Sequence, residues 1–328
     1  MYYGEILSII TAMTWTVTAL CAEVASRRMG QLQMNVLRMV ASLVILSLIL
    51  WVATGSPLPQ GMSLQALSWL LASGAVGYVF GDYCLFSSYV LIGSRMGQLL
   101  MTLAPLFSAL TAWLLLGETL DGRALLGIAV TLTGIGIVVK GKDHSPLSDK
   151  ARTTAVAPQP AAASPSAAAS SSAPLAPSSA AFRRGILFGI GAGMGQGVGI
   201  VLSKVGMSYC DATPLLPMAA TMVRAVAGLI GFGIAYYVKG DRARMRQGLH
   251  DRTTMANAAG AIVMGPVIGV SLSLLAVQLA PAGIASTLMA LTPVFILWPT
   301  RWLFHQPITT RELLGSLVAV LGVALFFL

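Results

Sequence analysis

The chain has 328 residues, of which 56% are hydrophobic and 9% are charged, with a formal net charge of +9. Soluble domains carry about 25% charged residues, so this composition excludes a soluble globular protein, whose surface it could not cover. It predicts instead an all-α integral membrane protein whose apolar segments cross a lipid bilayer as helices.

Ten apolar segments of about 20 residues follow one another along the chain, each long enough to cross the hydrocarbon core as a helix. The first begins close to Met1 without a charged leading region or a small-residue cleavage site, so we interpret it as a span and not as a removed signal. The predicted spans are residues 5–25, 34–53, 66–89, 95–117, 123–140, 185–206, 214–238, 255–277, 283–304 and 311–328.

An Ala/Pro/Ser-rich segment, residues 141–183, separates the fifth predicted span from the sixth. It contains TTAVAPQPAAASPSAAASSSAPLAPSSAA and has no periodic apolar face to bury, which is typical of a flexible linker. The predicted organisation is therefore a first unit at 1–140, the linker, and a second unit at 184–328, with five spans in each unit.

The two units are predicted to be copies of each other. At a shift of 188 residues or somewhat fewer, the matched pairs are Pro105 with Pro293, Gly81 with Gly269, Arg38 with Arg224, and Trp15 with Gln196. Because each copy has an odd number of spans, the copies enter the membrane in opposite orientations, which predicts two five-helix inverted repeats. Inverted repeats are frequent in secondary transporters, where the substrate lies near the midplane at the repeat interface.

Most of the lysines and arginines fall at one predicted end of the bundle, including Arg27, Arg95 and Lys239. Positively charged loops mark the cytoplasmic side of a membrane protein. We therefore predict a protein of the cell (inner or plasma) membrane whose 141–183 linker is cytoplasmic and whose termini both face outward. The same asymmetry accounts for the net positive charge, so no nucleic-acid partner is expected.

Several stretches of the chain resemble the EamA-type transporters of the drug/metabolite transporter superfamily. They are GEILSIITAMTW, VLRMVAS and GSRMGQLLMTLAPLFSALTAWLLLGETL in the first copy, and PAGIASTLMALTPVFILWPTRWLFHQ in the second. The second copy departs from the pattern, since His305-Gln306 replaces Gly117-Glu118. The resemblance implies ten transmembrane helices around a central cavity. It also implies transport of a small metabolite, often an amino acid or a related solute, with efflux favoured over uptake.

The link between the fourth and fifth spans of the first copy has the sequence LLLGETLDGRALLG, residues 114–127. Thr119 or Asp121 is predicted to cap the fifth helix, because a side-chain oxygen there can accept hydrogen bonds from the first free N–H groups. The alternative is that the charged residues of this link, which include Glu118, form an ion pair that gates the transporter.

Asp82 is the first candidate for a functional residue. Charged residues inside spans are costly and usually functional, and Asp82 lies within the third predicted span. The equivalent position in the second copy is occupied by Val270. A carboxylate removed from water binds a proton more readily, so Asp82 is the candidate for proton coupling. The alternative is that Asp82 pairs with Arg38 and only orients the helices.

Arg38 and Arg224 occupy equivalent positions in the two copies. Arginine suits bidentate recognition of a carboxylate or a phosphate, so both are candidate substrate ligands, and the alternative is that each cross-links helices. Arg224 has no obvious acidic partner in its own half of the chain. Glu23, near the end of the first span, is expected to extend towards the membrane interface.

Trp15, Tyr78 and Gln196 are further candidates for contact with a substrate. Aromatic faces bind cations and stack on flat rings, whereas ordinary packing is the alternative for each of them. Trp15 is favoured because the resemblance places the first helix beside the cavity. Pro105 and Pro293 interrupt helices, and they are predicted to act as hinges for gating or else as static kinks.

The sequence argues against an enzyme. It contains no HExxH motif and no cluster of metal ligands, and Val79 occupies the place of the first glycine in the GxGD motif of intramembrane aspartyl proteases. Neither a cofactor nor a metal is expected. The prediction is a secondary active transporter, working by alternating access as a monomer among membrane lipids, for a small polar metabolite. The alternative is a flippase for a lipid-linked or phosphorylated head group.

Overall fold

Apolar helices make up most of the protein in its computed structural model. The structure describes residues 3–117, 122–143, 179–211, 213, 215–279, 288–304 and 307–327. Over these residues the chain forms helices and no strand, as the predicted all-α class requires. Most of the 141–183 linker lies outside the described residues, and so do Glu118 and the predicted caps Thr119 and Asp121.

The first half of the chain forms six described α-helices. Ser63 begins the third of them, because its side chain accepts a hydrogen bond from the Ala66 N–H at 3.1 Å and satisfies a free donor. A π-helical stretch, π1 (Ala75–Asp82), joins the third helix to the fourth. The helices are α1 (Tyr3–Met29), α2 (Gln31–Thr54), α3 (Leu64–Gly74), α4 (Tyr83–Met101), α5 (Ala104–Leu116) and α6 (Gly122–Asp143).

The second half forms eight described α-helices. A second π-helical stretch, π2 (Val263–Gly269), joins two of them in the position that π1 occupies in the first half. The helices are α7 (Ser179–Met207), α8 (Leu216–Lys239), α9 (Arg242–His250), α10 (Arg252–Ile262), α11 (Val270–Leu279), α12 (Thr292–Phe295), α13 (Leu297–Leu303) and α14 (Thr310–Phe327).

Six helical stretches among the described residues are long and apolar enough to cross a membrane, by length and composition. They are Tyr3–Met29, Gln31–Thr54, Leu64–Met101, Ser179–Met207, Leu216–Lys239 and Arg252–Ser273. Two shorter apolar stretches are Ala104–Leu115 and Leu125–Lys140. Each of the ten predicted spans overlaps a helix, whereas the number of crossings stays a prediction.

Large apolar side chains face outward along these helices. Val52 and Trp302 are each 81% exposed, and Leu64 is 84% exposed. Such side chains would form an unfavourable surface in water, but they are compatible with contact to lipid tails. A helix also satisfies its own backbone hydrogen bonds, as the bilayer interior requires. The outer surface therefore fits a multi-pass membrane protein.

Gly93 divides the continuous stretch Tyr83–Met101 into two helices. Its backbone is not helical, with φ 84° and ψ 159°, a conformation that glycine adopts more readily than other residues. The break falls between the predicted third and fourth spans, 66–89 and 95–117. It lets the chain turn back into the bundle with almost no loop.

The helices of the two halves pack in an exchanged pattern. α1 packs against α10, π2 and α11 of the second half, and α7 packs against α3, π1 and α4 of the first. α2 packs against α8, and α6 packs against α14. Two copies related by a twofold axis would give this pattern, because the first helix of each copy then meets the third segment of the other. The opposite membrane orientation of the copies stays a prediction.

α6 and α14 approach each other closely along a seam of small residues. A side chain on Gly134 would overlap the backbone of Ala319, and one on Gly322 would overlap Thr131. Small residues allow helix backbones in a membrane to come together and gain van der Waals contact. This seam joins the last described helix of each half to its counterpart.

Candidate functional site

Asp82 lies at the end of π1 and is 3% exposed. Its carboxylate accepts a hydrogen bond from Nη2 of Arg38, on α2, with which it forms an ion pair. Its Oδ1 atom accepts a second hydrogen bond from Nε2 of Gln196, on α7, at 2.7 Å. Arg38 belongs to the first copy and Gln196 to the second, so Asp82 connects the two halves of the protein inside the bundle.

Arg38 is held by two different kinds of contact. Besides its ion pair with Asp82, its guanidinium carbon lies 4.7 Å from the centre of the Phe86 ring, a distance at which a cation is attracted to an aromatic face. Arg38 is 7% exposed. Its Nε–H is buried and finds no acceptor among the described residues.

Arg224 reaches the same region from α8. Its guanidinium carbon lies 4.6 Å from the centre of the Tyr78 ring, which belongs to π1. The Nη2 atom approaches Gly77 so closely that a Cβ on that glycine would lie 2.9 Å from it. π1 thus presents Tyr78 and Asp82 towards the arginines of α2 and α8.

Paired glycines bring π1 and α7 into backbone contact. A Cβ on Gly195 would lie 2.6 Å from the Cα atom of Gly81, and one on Gly199 would lie 2.9 Å from the Cα atom of Gly77. Only residues without a side chain fit at this crossing. The close approach carries Gln196, the neighbour of Gly195, to within hydrogen-bonding reach of Asp82. π-helical turns are frequent at functional sites.

The structure brings together five of the six predicted substrate residues. The five residues, called the polar cluster below, are Arg38, Tyr78, Asp82, Gln196 and Arg224. Trp15 packs elsewhere, with Leu7, Ala276 and Met289. A Cβ on Gly269 of π2 would lie 2.8 Å from its Nε1 atom, so Trp15 faces π2 much as Gln196 faces π1. The assignment of these residues to a substrate stays a prediction.

The two predicted hinge prolines each lie in the first turn of a helix. Pro105 follows a short turn at Thr102 and Leu103 and lies in the first turn of α5, and Pro293 lies in the first turn of α12. Proline fits there because the first helical N–H groups have no partner within the helix in any case. Both copies therefore contain a helix break at the same place, and its role as a hinge stays a prediction.

Two small cavities lie among the described residues. Each holds about 10 Å³, which is room for about one water molecule. They are lined by Arg95, Met96, Leu99, Val138, Leu297, Glu312 and Ser316 in one case, and by Thr102, Pro105, Leu106, Ile128, Thr131 and Val323 in the other. Neither cavity borders Asp82.

Glu23 was expected to extend towards the membrane interface, and this expectation is wrong. Its side chain is 3% exposed. One carboxylate oxygen accepts a hydrogen bond from the Ser94 N–H at 2.6 Å, and the other accepts one from Nε of Arg27 at 2.9 Å. Glu23 thus caps the helix that begins after Gly93. The charge of Glu23 was visible in the sequence, but the helix break that it caps depends on tertiary packing.

Arg95 was placed with the basic residues at one end of the bundle, and the structure shows that its side chain is buried. It is 5% exposed and donates hydrogen bonds to the Thr300 hydroxyl at 2.6 and 2.9 Å. Its Nη1 atom lies 3.1 Å from Oε2 of Glu312, and it also donates to the carbonyls of Leu297 and Pro307. The sequence indicates this burial, because the link Gly93-Ser94-Arg95 between the two helical segments is too short to form a loop exposed to water.

The arrangement offers no evident metal site. Over the residues that the structure describes, no group of three or more His, Cys, Asp or Glu side chains could hold a metal ion. What the polar cluster can do is bind charged or polar groups. It provides one carboxylate, two guanidinium groups, a carboxamide and a phenol ring.

Comparison with known proteins places the chain in a family. The profile of the EamA-like transporter family matches residues 2–140 and 183–328. No curated protein matches the chain significantly. A solved structure, described as a crystal structure of a protein, aligns with 98% of this chain and 95% of its own chain. Its TM-score is 0.56 and its sequence identity is 14%, so the likeness concerns the fold alone.

An apolar all-helical chain whose two halves match the same transporter profile defines a multi-pass membrane transporter of the drug/metabolite type. The chain belongs to the EamA-like transporter family. The resemblance seen in the sequence is thereby confirmed.

Proposed function

We propose that this protein is a secondary active transporter that exports a small polar metabolite, such as an amino acid or a related solute, by alternating access. The observation that carries the proposal is the hydrogen bond from Gln196 to Asp82, at 2.7 Å, which joins the two copies inside the bundle. Buried polar groups at a repeat interface are where transporters of this architecture bind their substrates.

The packing of the helices supports alternating access. The contact of π1 with α7 rests on glycines such as Gly77 and Gly195, so the two backbones approach each other directly there. The helix breaks at Pro105 and Pro293 lie at equivalent places in the two copies. A movement that opens one copy against the other could therefore use the same hinge on either side of the membrane.

Asp82 is the proposed coupling residue. In the structure its carboxylate is stabilised by Arg38 and Gln196. A proton on Asp82 would remove its negative charge and weaken its hold on Arg38, because only the charged form makes an ion pair. Proton binding at Asp82 would then compete with its ion pair to Arg38. The conformation of the polar cluster would in this way depend on the proton gradient.

The proposed location is the plasma membrane, with both termini outside, the 141–183 linker in the cytoplasm, and the monomer as the working unit. Basic segments distant in sequence meet at one end of the bundle, which supports this orientation. Arg28 pairs with Asp251 at 2.7 Å, and Arg244 donates to the carbonyl of Arg27 at 3.0 Å. Labelling of a cysteine introduced in the linker should succeed only from the cytoplasmic side; labelling from outside would reverse the orientation.

Transport is tested in proteoliposomes loaded with a mixture of amino acids and small organic acids. An inward proton gradient is imposed, and the solutes released are measured by mass spectrometry. We expect one chemically related group of solutes to leave faster than from protein-free vesicles. We also expect the Asp82→Asn variant to lose the dependence on the gradient, while Arg301→Gln, a change at an exposed residue of α13, keeps it.

Equal release from vesicles with and without the protein, for every solute, would argue against a solute transporter. A fluorescent phospholipid analogue is included in the same vesicles. If its head group crosses the bilayer faster when the protein is present, while no solute is released, the flippase alternative replaces the proposal.

A further inference from the structure

Arg224 is a buried arginine whose Nε–H has no hydrogen-bond acceptor among the described residues. Arg224 is 9% exposed. It donates no hydrogen bond within the described part of the chain, and its Nε atom is fully enclosed. Its guanidinium group lies over the face of the Tyr78 ring, and the charge of Asp82 also acts on it. An arginine has five N–H donors, and burying a charged group without hydrogen bonds is expensive.

The polar cluster also carries an excess of positive charge. Arg38 and Arg224 bring two positive charges, and among the described residues of the cluster Asp82 brings the one negative charge. The nearby Glu23 does not restore the balance, because its carboxylate is engaged by Arg27 and by a backbone N–H. Asp82 acts electrostatically on both arginines but balances one charge, so the described cluster keeps an excess of one positive charge.

A purely structural role does not explain Arg224. An arginine that cross-links helices would donate hydrogen bonds to the helices around it, as Arg95 does to Thr300 and to the carbonyl of Leu297. Arg224 is buried, as Arg95 is, but lacks such bonds over the residues described. Its contact with Tyr78 compensates only part of the lost hydration, since a cation–π contact contributes about 2 kcal/mol when desolvated.

We propose that Arg224, together with Arg38, recognises an anionic oxyacid group, a carboxylate or a phosphate, on the transported solute. This inference rests on the proposed function and names the substrate class of the same site. The guanidinium group presents paired N–H donors that match the oxygens of either anion. The anion would supply the missing negative charge, and Arg38, with its free Nε–H, would provide the second cation.

Access to Arg224 would follow from separation of π1 and α7. Gly77 has no side chain, and a Cβ there would lie 2.9 Å from Nη2 of Arg224. On the side that faces π1, the Nη2 atom lies against the backbone of Gly77, whereas the Tyr78 ring covers the face of the guanidinium group. Movement of π1 away from α7 would therefore uncover the N–H donors of Arg224 that lie next to Gly77.

The test measures the thermal unfolding of the purified full-length protein with anions and their neutral counterparts at constant ionic strength. The probes are inorganic phosphate, pyruvate and glycerol 3-phosphate, with glycerol and acetone as the neutral controls. A ligand that binds only the folded state raises the Tm. We expect at least one anion to raise the Tm of the wild-type protein and of Arg301→Gln, and expect Arg224→Gln to lose the shift.

The stability of the variants without a probe gives a second measurement. If Arg224 is an arginine without a partner, Arg224→Met should unfold at the same temperature as the wild-type protein or above it. A lower Tm for Arg224→Met would show that Arg224 stabilises the bundle and would overturn the inference. The inference also fails if no anion raises the wild-type Tm beyond its neutral counterpart, or if Arg224→Gln responds equally.

An experiment with lipids distinguishes a soluble anion from a lipid head group. Detergent-solubilised protein is mixed with phosphatidylglycerol or with phosphatidylcholine, and the Tm is compared. If phosphatidylglycerol raises the Tm of the wild-type protein but not of Arg224→Gln, and no soluble anion raises it, the anion is a lipid head group. Anion binding without solute release from proteoliposomes would leave this inference standing and reject the proposed export. Solute release without any Tm shift that depends on Arg224 would leave the proposed export standing and reject this inference.

Discussion

At the scale of single residues, the charges of this protein are handled in three different ways. Asp82 and Arg38 pair inside the bundle. Glu23 is used as a helix cap for Ser94. Asp251, at the end of the bundle where the basic segments meet, is an exposed cap of α10 that also pairs with Arg28. Burial decides how much each charge matters, because an unpaired charge is costly only when water cannot reach it.

The first prediction concerns the buried pair. Removing one partner of a buried ion pair typically costs about 3–5 kcal/mol, because the other charge is left uncompensated. Asp82→Asn should therefore lower the Tm markedly. The double variant Arg38→Gln/Asp82→Asn should be destabilised by less than the sum of the two single changes. Thermal unfolding of all four proteins completes the cycle, and strictly additive effects would show that the pair is not coupled.

The second prediction concerns Asp251 and pH. The hydrogen bond from the Thr254 hydroxyl, and then that from Arg28, lower the pKa of Asp251 from 3.8 to about 2. Because the folded pKa lies below the unfolded one, the stabilising contribution is complete above pH 3.8 and is lost as the pH falls through about 2. The difference in Tm between the wild-type protein and Asp251→Asn should shrink over this window. A difference that stays constant down to pH 2 would contradict the low pKa.

At the scale of helices, glycine positions decide which elements touch. Gly195 and Gly199 of α7 meet Gly81 and Gly77 of π1, and Gly134 of α6 meets α14. Each of these contacts joins one copy to the other. Between helices in a lipid environment the attraction comes largely from such close packing, because lipid tails are as apolar as the side chains.

The third prediction tests the crossing of π1 with α7. A Cβ on Gly195 would lie 2.6 Å from the Cα atom of Gly81, a backbone atom that cannot move without shifting the helix. Overpacking of this kind costs about 1–3 kcal/mol, so Gly195→Ala should lower the Tm. Gly136→Ala is the matched control, because nothing lies within 4 Å of its added Cβ. Equal Tm values for the two variants would show that the crossing is not tight.

At the scale of the whole molecule, Arg95 ties the first copy to the end of the second. It connects the helix that follows Gly93 to α13, through Thr300, and to α14, through Glu312. The polar cluster, by contrast, lies between α2, π1, α7 and α8. Both sites join the two copies, and a change of conformation would have to break or carry along each of them.

The fourth prediction concerns this second connection. Ser316 is 3% exposed and lines the small cavity beside Arg95 and Glu312. In a background in which Cys21, Cys84 and Cys210 are replaced by serine, Ser316→Cys should react slowly with a maleimide. Adding Arg95→Gln should raise the labelling rate several-fold, since α13 and α14 lose their link to the first copy.

The matched control for this labelling is Arg301→Gln in the same background, because Arg301 lies exposed on α13. It should leave the rate unchanged. Unchanged labelling in the Arg95→Gln background would mean that Arg95 does not hold this interface closed.

The sequence by itself determined the membrane class, the two-copy pattern and the family, because these follow from hydropathy and local pattern. It also singled out five residues that the structure brings together, since a polar side chain in an apolar span stands out against its surroundings. It misplaced Glu23, because that residue was judged only by its distance from a helix end.

Only the tertiary structure decided which charges are paired. The ion pair of Asp82 with Arg38, the cap formed by Glu23 and the lack of an acceptor for Nε of Arg224 among the described residues all depend on which helices cross and how closely. Glycines set those crossings, and their effect appears only when two backbones meet. A hydrophobic pattern defines which segments lie in the membrane, whereas contacts between segments distant in sequence define the environment of each charge.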